Sequence, residues 1–292
     1  VCAQANNYTV TSPDGKLAVN VECKEGKAFY TVDYNGKQMM GASALGLVAN
    51  YGDFSQNLKM GALKSEKKHL AYKMTRIKKE KIEKDANEAT IGFINSKKDS
   101  MTLRLHVSNN DIAYKYEMIR PKKDNPKSVI IYHEVSGFNF PKQTTTFLCP
   151  QITPMTGWER TKPSYEEEYT PDAPMNVKSQ FGVGYTFPCL FKVGNDGWVL
   201  VSETGVSSAY PGSRLSDYEP GKGYTVAFPQ KGENNGFGSE FAGIPLPGET
   251  PWRTITVGSS LAPIVETTIP YDVVEPLYEA SQTYKPSRYT WS

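Results

Sequence analysis

The sequence predicts an all-β protein built as one large antiparallel sandwich of many short strands. Aromatic residues make up 12% of the 292-residue chain, with 18 Tyr, and 20 Pro and 24 Gly are spread along it. This composition is typical of short strands separated by turns and not of helical bundles. All-β sandwiches reach roughly 200–250 residues as a single unit, so one large domain is compatible with this length.

Two hairpins are predicted at the start of the chain. Apolar and polar residues alternate over residues 17–23, which is the two-residue period of a half-buried strand. The pair Asn35-Gly36 suits the positive φ angles of a two-residue hairpin turn. The strands predicted around this turn and the turn at residues 13–16 are residues 8–12, 17–23, 29–34 and 37–40.

The same short-strand pattern continues to the C-terminal part of the chain. Residues 101–107 and 112–118 predict a strand pair with one core face and one polar face, and His106 lies on the polar face. A lone histidine without a second ligand nearby is interpreted as a surface or network residue, and His69 and His133 are interpreted in the same way. Further strands are predicted over residues 129–134, 144–148, 185–193, 198–203, 224–228 and 253–257. The one predicted helix covers residues 273–282, with its apolar face formed by Val273, Val274, Leu277 and Ala280.

The charge pattern argues against nucleic acid and membrane partners. The net charge is +2, from 33 basic and 31 acidic residues, so the chain has no global field that could hold a polyanion. Lys and Glu are interleaved in the basic stretch over residues 64–84, which indicates a solvated edge strand. No stretch approaches the roughly 18 apolar residues that a membrane span needs.

The cysteines and the first residues point to an exported protein without a zinc site. Cys2, Cys23, Cys149 and Cys189 lack the C-x-x-C spacing of a structural zinc or redox site. Cys149 and Cys189 form a disulfide or remain buried thiols, and the sequence leaves both open. Residues 1–5 contain Ala-Gln-Ala, which resembles a signal-peptidase site, so they are expected to be a signal-peptide remnant of a periplasmic or secreted protein. Lipoprotein anchoring through Cys2 is disfavoured because Val, not a small residue, precedes it.

Residues 157–170 combine acids and aromatics in one short, proline-containing stretch. They include Trp158, Glu159 and the run Glu166-Glu167-Glu168 between two tyrosines. A hard cation or a sugar could bind such a segment, whereas adjacent acids are more often a solvated loop. The sequence holds no G-x-S-x-G, H-E-x-x-H or Gly-rich phosphate motif, so the residues alone favour binding over catalysis.

Five stretches, in order and spread over the chain, resemble the N-terminal domain of glycoside hydrolase family 97, which includes α-glucosidases and α-galactosidases. They are residues 11–17 (TSPDGKL), 110–117 (NDIAYKYE), 164–169 (SYEEEY), 197–203 (GWVLVSE) and 250–255 (TPWRTI). Residues 285–292 (KPSRYTWS) resemble the junction at which the family enters its catalytic barrel.

The resemblance implies a fold, a domain order and a metal ligand. Residues 6–280 are expected to form a galactose mutarotase-like β-supersandwich, and residues 281–292 a linker or the first strand of a (β/α)₈ barrel. The catalytic acid and the base or nucleophile of this exo-acting α-glycosidase are expected in the barrel, outside the 292 residues. Glu166 matches the glutamate that ligates the family's active-site calcium. One carboxylate cannot fill a calcium shell, so we expect weak or no calcium binding by the chain alone.

The resemblance also suggests interface residues and partners. Glu203 is expected to be a buried acid paired at the domain interface, where Trp291 also lies. Trp158 either lines a sugar subsite or covers the core edge. Trp252 and Arg253 are interpreted as a packed aromatic and a stacked or bidentate arginine. The expected partners are the chain's own barrel and an oligosaccharide with α-linked glucose or galactose.

The alternative is a stand-alone carbohydrate-binding or mutarotase-like sandwich. A mutarotase needs a histidine acid and a glutamate base in one groove, and none of the three histidines lies near the acidic stretch in sequence.

Overall fold

The structure, a computed structural model, describes residues 6–74, 78–154, 170–233, 236–277, 287, 288 and 290. Strands dominate these residues, and two short helices follow the last strand. In chain order the elements are β1 (Asn7–Thr11), β2 (Leu17–Lys24), β3 (Lys27–Tyr34), β4 (Lys37–Leu45), β5 (Leu47–Ala49), β6 (Gly52–Asp53), β7 (Lys59–Lys73), β8 (Lys81–Ile94), β9 (Ser100–Val107), β10 (Asp111–Met118), β11 (Ser128–Glu134), β12 (Gly137–Phe138), β13 (Thr144–Phe147), β14 (Ala173–Pro174), β15 (Tyr185–Thr186), β16 (Cys189–Val193), β17 (Gly197–Thr204), β18 (Arg214–Leu215), β19 (Tyr224–Ala227), β20 (Ala242–Pro245), β21 (Gly248–Glu249), β22 (Trp252–Gly258), α1 (Ala262–Glu266) and α2 (Ile269–Asp272).

One large antiparallel sheet forms the first layer of the sandwich. Its order is β14-β13-β16-β17-β22-β10-β9-β8-β7, with β21 also paired to β10. Three small sheets, β1-β2-β3-β4, β20-β11-β5-β6 and β12-β19-β18-β15, share one continuous hydrophobic core with it. We call the core side of the large sheet its inner face and the opposite side its outer face. The predicted all-β antiparallel sandwich is confirmed.

The sequence periodicity explains how these layers pack. In β2 the residues at alternate positions are buried, from Leu17 to Cys23, as the two-residue period predicts. The turn between β3 and β4 has positive φ at both Asn35 and Gly36, as expected for a two-residue hairpin turn. Across the core, the rings of Tyr30 and Tyr114 lie 5.4 Å apart between their centroids and join a small sheet to the large one.

The basic stretch lies at an edge of the large sheet, as predicted. β7 is the last strand of that sheet, and most of its residues are exposed. It pairs with β8 along a long hairpin, which we call the hairpin arm. Lysine and glutamate side chains on such an edge keep other strands from adding to it.

The segment after β22, residues 259–277, crosses the outer face of the large sheet, and we call it the strap. Ile269, Val273 and Val274 of the strap pack on Ala113 and Trp252. This second, smaller apolar cluster covers part of the outer face.

Buried polar contacts also fix the strap. Asp272 accepts hydrogen bonds from Tyr72 Oη at 2.6 Å and from Thr268 Oγ1 at 2.9 Å. The Lys84 ammonium lies 2.6 Å from the second carboxylate oxygen of Asp272, as an ion pair outside hydrogen-bond geometry. The strap is therefore held by the hairpin arm as well as by apolar packing.

The strap changes two expectations from the sequence. The predicted helix over residues 273–282 is wrong for its described part, because α2 ends at Asp272 and residues 273–277 are not helical. Pro276 explains this, since a proline disfavours the helical conformation of the residue before it. The polar face of β9 is not a solvent face around His106, which is fully buried with Nδ1 2.8 Å from Glu88 Oε1.

Cys189 is a buried free thiol, so the structure contains no disulfide between it and Cys149. Its Sγ lies 3.2 Å from the Thr186 carbonyl oxygen. Neither of the described helices has the length or the apolar character that a membrane crossing needs.

Candidate functional site

Of the residues that the sequence singles out for a site, Glu203 lies in the described part of the chain. Glu166, Trp158 and Trp291 lie outside the described residues. Glu203 is near the end of β17 and directly opposite Arg253 of β22. Residues directly opposite in an antiparallel pair have Cβ atoms roughly 4.5–5.5 Å apart, so the strand register itself brings this acid and this base together.

Arg253 is the centre of a buried ionic cluster. Its Nε donates to Glu134 Oε1 at 2.8 Å and its Nη2 donates to Glu134 Oε2 at 2.6 Å, which is a bidentate pair. Its Nη1 donates to Glu203 Oε2 at 2.5 Å. The Arg253 and Glu134 side chains have no exposed surface. The pair therefore joins β22 of the large sheet to β11 of a small sheet through the core.

Hydroxyl groups complete the shell of Glu134. Tyr210 Oη donates to Oε2 at 2.7 Å, and Ser136 Oγ donates to Oε1 at 2.8 Å. Ser213 N donates to Glu203 Oε1 at 3.0 Å. We call Glu134, Ser136, Glu203, Tyr210, Ser213 and Arg253 the Arg253 cluster.

The two carboxylates of the cluster differ in their electrostatics. Burial alone would raise the pKa of Glu134, but the Arg253 charge and its hydrogen bonds hold it below its ordinary value. Burial raises the pKa of Glu203, and Arg253 and the Ser213 N–H oppose this only in part. Since one guanidinium serves two acids, Glu203 is the carboxylate with the weaker compensation.

Glu203 is also the member of the ionic triad that reaches the surface. Its side chain is 13% exposed, whereas those of Arg253 and Glu134 are fully buried. Glu134 has four hydrogen-bond donors around it and no access to a ligand, so the cluster is a structural network with one accessible acid. The described residues contain no group of three His, Cys, Asp or Glu that could hold a metal ion.

The strap contacts the end of the strand that carries this acid, on the opposite face of the large sheet. Thr204, the residue after Glu203, donates from Oγ1 to the Pro270 carbonyl oxygen at 3.5 Å. A Cβ atom placed on Gly205 would contact both Trp252 and Val274 at 3.4 Å. The strap therefore leads the chain from the hairpin arm across the outer face to the end of β17.

The interpretation of Trp252 and Arg253 is confirmed, whereas the sequence alone assigns no role to four members of the cluster, Glu134, Ser136, Tyr210 and Ser213. Trp252 is buried, with the Lys115 ammonium 4.6 Å from its ring centre, and Arg253 is bidentate. Glu134 was placed at the end of a predicted strand without a role, and Tyr210 was not singled out. A bulge between Ile131 and His133 turns Glu134 into the core, and simple alternation gives no signal for it.

The chain was also compared with known proteins. The sequence profile described as glycosyl-hydrolase 97 N-terminal matches residues 10–276. The chain belongs to glycoside hydrolase family 97. It carries the N-terminal domain of that family, as the sequence motifs predicted.

Solved structures of family members have the same fold. The crystal structure of a beta-arabinopyranosidase is 54% identical to this family 97 domain, with a TM-score of 0.89 over 93% of this chain and 43% of that chain. Family 97 enzymes from Pseudoalteromonas sp. strain K8, in complex with panose and with acarbose, are 18% identical with a TM-score of 0.76. They cover 92% of this chain, which spans 38% of theirs. The search of curated proteins gave no match.

Proposed function

We propose that this family 97 domain completes the active site of an exported, exo-acting glycosidase by packing on a catalytic barrel that follows it. The observation that supports this most is the 54% identity, over 93% of the chain, to a beta-arabinopyranosidase more than twice as long. The relatives' extra length provides room for a catalytic domain. Ala3-Gln4-Ala5 resembles a signal-peptidase cleavage site, which supports export to the periplasm or the medium.

We infer the substrate class from the sugar that this relative is named for, taken in its L form. A β-arabinopyranoside of the L series has the ring configuration of an α-galactopyranoside without its exocyclic CH₂OH group. The similarity therefore favours a terminal β-arabinopyranosyl or α-galactosyl residue over an α-glucosyl residue, which differs at C4. Within the family pair expected from the sequence, we propose the galactose-like configuration.

The proposed role of Glu166 is to ligate calcium together with carboxylates of the barrel. Calcium takes six to eight oxygen ligands, and one carboxylate supplies at most two of them. The described residues add no further cluster of acids. Glu166 alone would leave most of the calcium shell unfilled, and carboxylates of the barrel would complete it in a site shared between two domains. Bound calcium would supply electrostatic stabilisation of charge that develops in glycoside hydrolysis.

The proposed role of the Arg253 cluster is to hold Glu203 at the boundary between the domains. The cluster fixes the end of β17 from the inner face, and the strap contacts the same strand end from the outer face. A partly exposed carboxylate whose burial is only partly offset by its own partners is stabilised further by a hydrogen-bond donor on a neighbouring domain. Glu203 therefore acts as a positioning residue at that boundary, not as a catalytic acid.

The geometry disfavours the alternative of a mutarotase-like enzyme. His106 and Glu88 form the buried histidine–glutamate contact in the described residues, and His106 has no exposed surface for a substrate. His69 contacts Asp85 on the exposed hairpin arm. Neither His106 nor His69 offers an acid–base pair within a sugar-binding cleft. The third histidine, His133, is exposed on β11, where the adjacent Glu134 is buried against Arg253 and is not available as a base.

The proposal is tested in the longer protein with nitrophenyl glycosides of β-L-arabinopyranose, α-D-galactose and α-D-glucose. We expect hydrolysis of the first two and little of the third, with activity lost on chelation and restored by added calcium. Glu166→Ala should raise the calcium concentration needed for half-maximal activity at least tenfold. Glu167→Ala and Glu168→Ala are matched controls that should leave it unchanged. An unaltered calcium requirement in Glu166→Ala, or an equal effect in a control, would refute the ligand assignment.

A further inference from the structure

The outward side of the small sheet β20-β11-β5-β6 presents large apolar side chains. Tyr132 and Phe241 are 37% and 41% exposed, and Ile130 lies beside them with similar exposure. The two aromatic rings have centroids 5.2 Å apart and are nearly perpendicular, at 87°. Together they form a corner with ring surface open to solvent.

The backbone of this sheet produces the arrangement. The bulge in β11 between Ile131 and His133 leaves both Tyr132 and His133 on the exposed side. Bulges of this kind redirect side chains and are frequent at functional sites. On β20, Gly243 pairs with Ile130, and a Cβ atom placed on it would have no atom within 4 Å. The glycine leaves an open shelf beside the aromatic corner.

Polar groups border the shelf on the same sheet. Asp53 of β6 is opposite Val48 of β5, which in turn is opposite His133. The Asp53 carboxylate is oriented by hydrogen bonds from Ser55 and Gln56, of 2.6–2.8 Å. The exposed Asn50 accepts a hydrogen bond from Ile130 N at 3.2 Å. Oriented acceptors and an imidazole therefore lie next to the rings.

We infer that this surface, which we call the aromatic face and define by Ile130, Tyr132, His133, Phe241 and Gly243, binds a neutral oligosaccharide. Aromatic rings present a flat apolar surface on which the C–H face of a pyranose can pack. Carboxylate, amide and imidazole groups bond the hydroxyls around its rim. The inference rests on the proposed function, in which the whole protein acts on glycosides.

Size and charge distinguish this ligand from other occupants. Strands in a sheet are about 4.8 Å apart, so four strands span about 14 Å, which suits a short oligosaccharide. A stable protein interface needs roughly 800 Å² per partner, more than strands of two to seven residues provide. The side chains that present the apolar surface, Ile130, Tyr132 and Phe241, are uncharged, which favours a neutral ligand.

The test is native affinity electrophoresis of the full-length protein in gels that contain arabinogalactan, pullulan or no glycan. We expect retardation in one of the glycan gels. Tyr132→Ala should weaken the apparent affinity about five- to tenfold, the range of one aromatic stacking contact. Gly243→Gln should do the same by covering the shelf without removing a packed side chain. Tyr271 of α2 is 46% exposed, somewhat more than Tyr132, and Tyr271→Ala is the matched control that should bind as the parent does.

Each result decides for or against the aromatic face. No retardation, or equal retardation of Tyr132→Ala, Gly243→Gln and the parent, overturns the inference. A change in oligomeric state on Tyr132→Ala with unchanged glycan binding also overturns it, in favour of a protein interface. Hydrolysis of the small nitrophenyl glycosides is measured in parallel. If the parent does not hydrolyse them, the proposed function is refuted. If hydrolysis is normal and the variants are retarded as strongly as the parent, only the inference about the aromatic face is refuted.

Discussion

Glu134→Gln tests whether the Arg253 cluster joins the two layers of the sandwich. The substitution keeps the shape of the side chain and removes its charge. Arg253 then keeps Glu203 as its remaining anion, and the amide nitrogen faces donors that Glu134 now accepts. Tyr210 and Ser136 also lose a charged acceptor.

The expected cost follows from burial. Removing one partner of a buried ion pair costs about 3–5 kcal/mol when the remaining charge is left unpaired, and because Arg253 keeps Glu203 we expect the lower end of this range, about 3 kcal/mol. Both side chains are completely buried, so no solvent screening reduces this value. A domain has a free energy of unfolding of about 5–15 kcal/mol, and the variant should lose a large part of it.

Urea unfolding followed by tryptophan fluorescence measures the effect in the parent and the variant. Glu117→Gln is the matched control, since it removes the same charge from an Arg104 pair whose side chains are about 30% exposed. The control should cost no more than about 1 kcal/mol. If Glu134→Gln costs as little as Glu117→Gln, the cluster does not hold the layers together and the reasoning fails.

Two further predictions concern pH and the strap. The folded-state pKa of Glu134 is depressed, so its contribution is present above the unfolded value of roughly 4.3 and is lost as pH falls through the folded value. The free energy of unfolding should therefore drop in acid less steeply in Glu134→Gln than in the parent. Glu203→Gln removes a pKa shift of the opposite direction, since the folded-state pKa of Glu203 is raised, and it should make the drop steeper. Chemical unfolding between pH 3 and 7 measures both slopes, and parallel curves for all three proteins would contradict the assignment. Asp272→Asn should destabilise the strap by about 2 kcal/mol, as expected for hydrogen bonds to a buried charge, and should speed proteolysis within residues 259–277. The exposed Glu266→Gln is its control, and equal cleavage rates in the two variants would contradict a strap fixed by Asp272.

Local patterns were sufficient for the fold class and for most strands. The alternation over residues 17–23 and the Asn35-Gly36 turn predicted the first hairpins because burial in a sheet repeats every second residue. Interleaved lysine and glutamate predicted that β7 is an edge. The family motifs predicted the domain family, which the profile match confirms.

The strap shows where local patterns stop being informative. Apolar spacing over residues 273–282 suggested a helix, but Val273 and Val274 use their apolar side chains to pack on the large sheet in a non-helical segment. His106, on the polar side of β9, is fully buried as well. Whether a second sheet face is covered depends on a segment far away in sequence, which periodicity within one strand does not encode.

The sequence by itself therefore determined most of the longer strands, the first hairpin turns and the family, since each depends on residues that are close along the chain. Only the tertiary structure decided the partners of Glu203 and the inward turn of Glu134. Arg253 and Glu134 are 119 positions apart and meet through strand register and a bulge. Because an unpaired charge is costly to bury, Arg253 needs a counterion in the core, and the packing of the two layers determines that this counterion is Glu134.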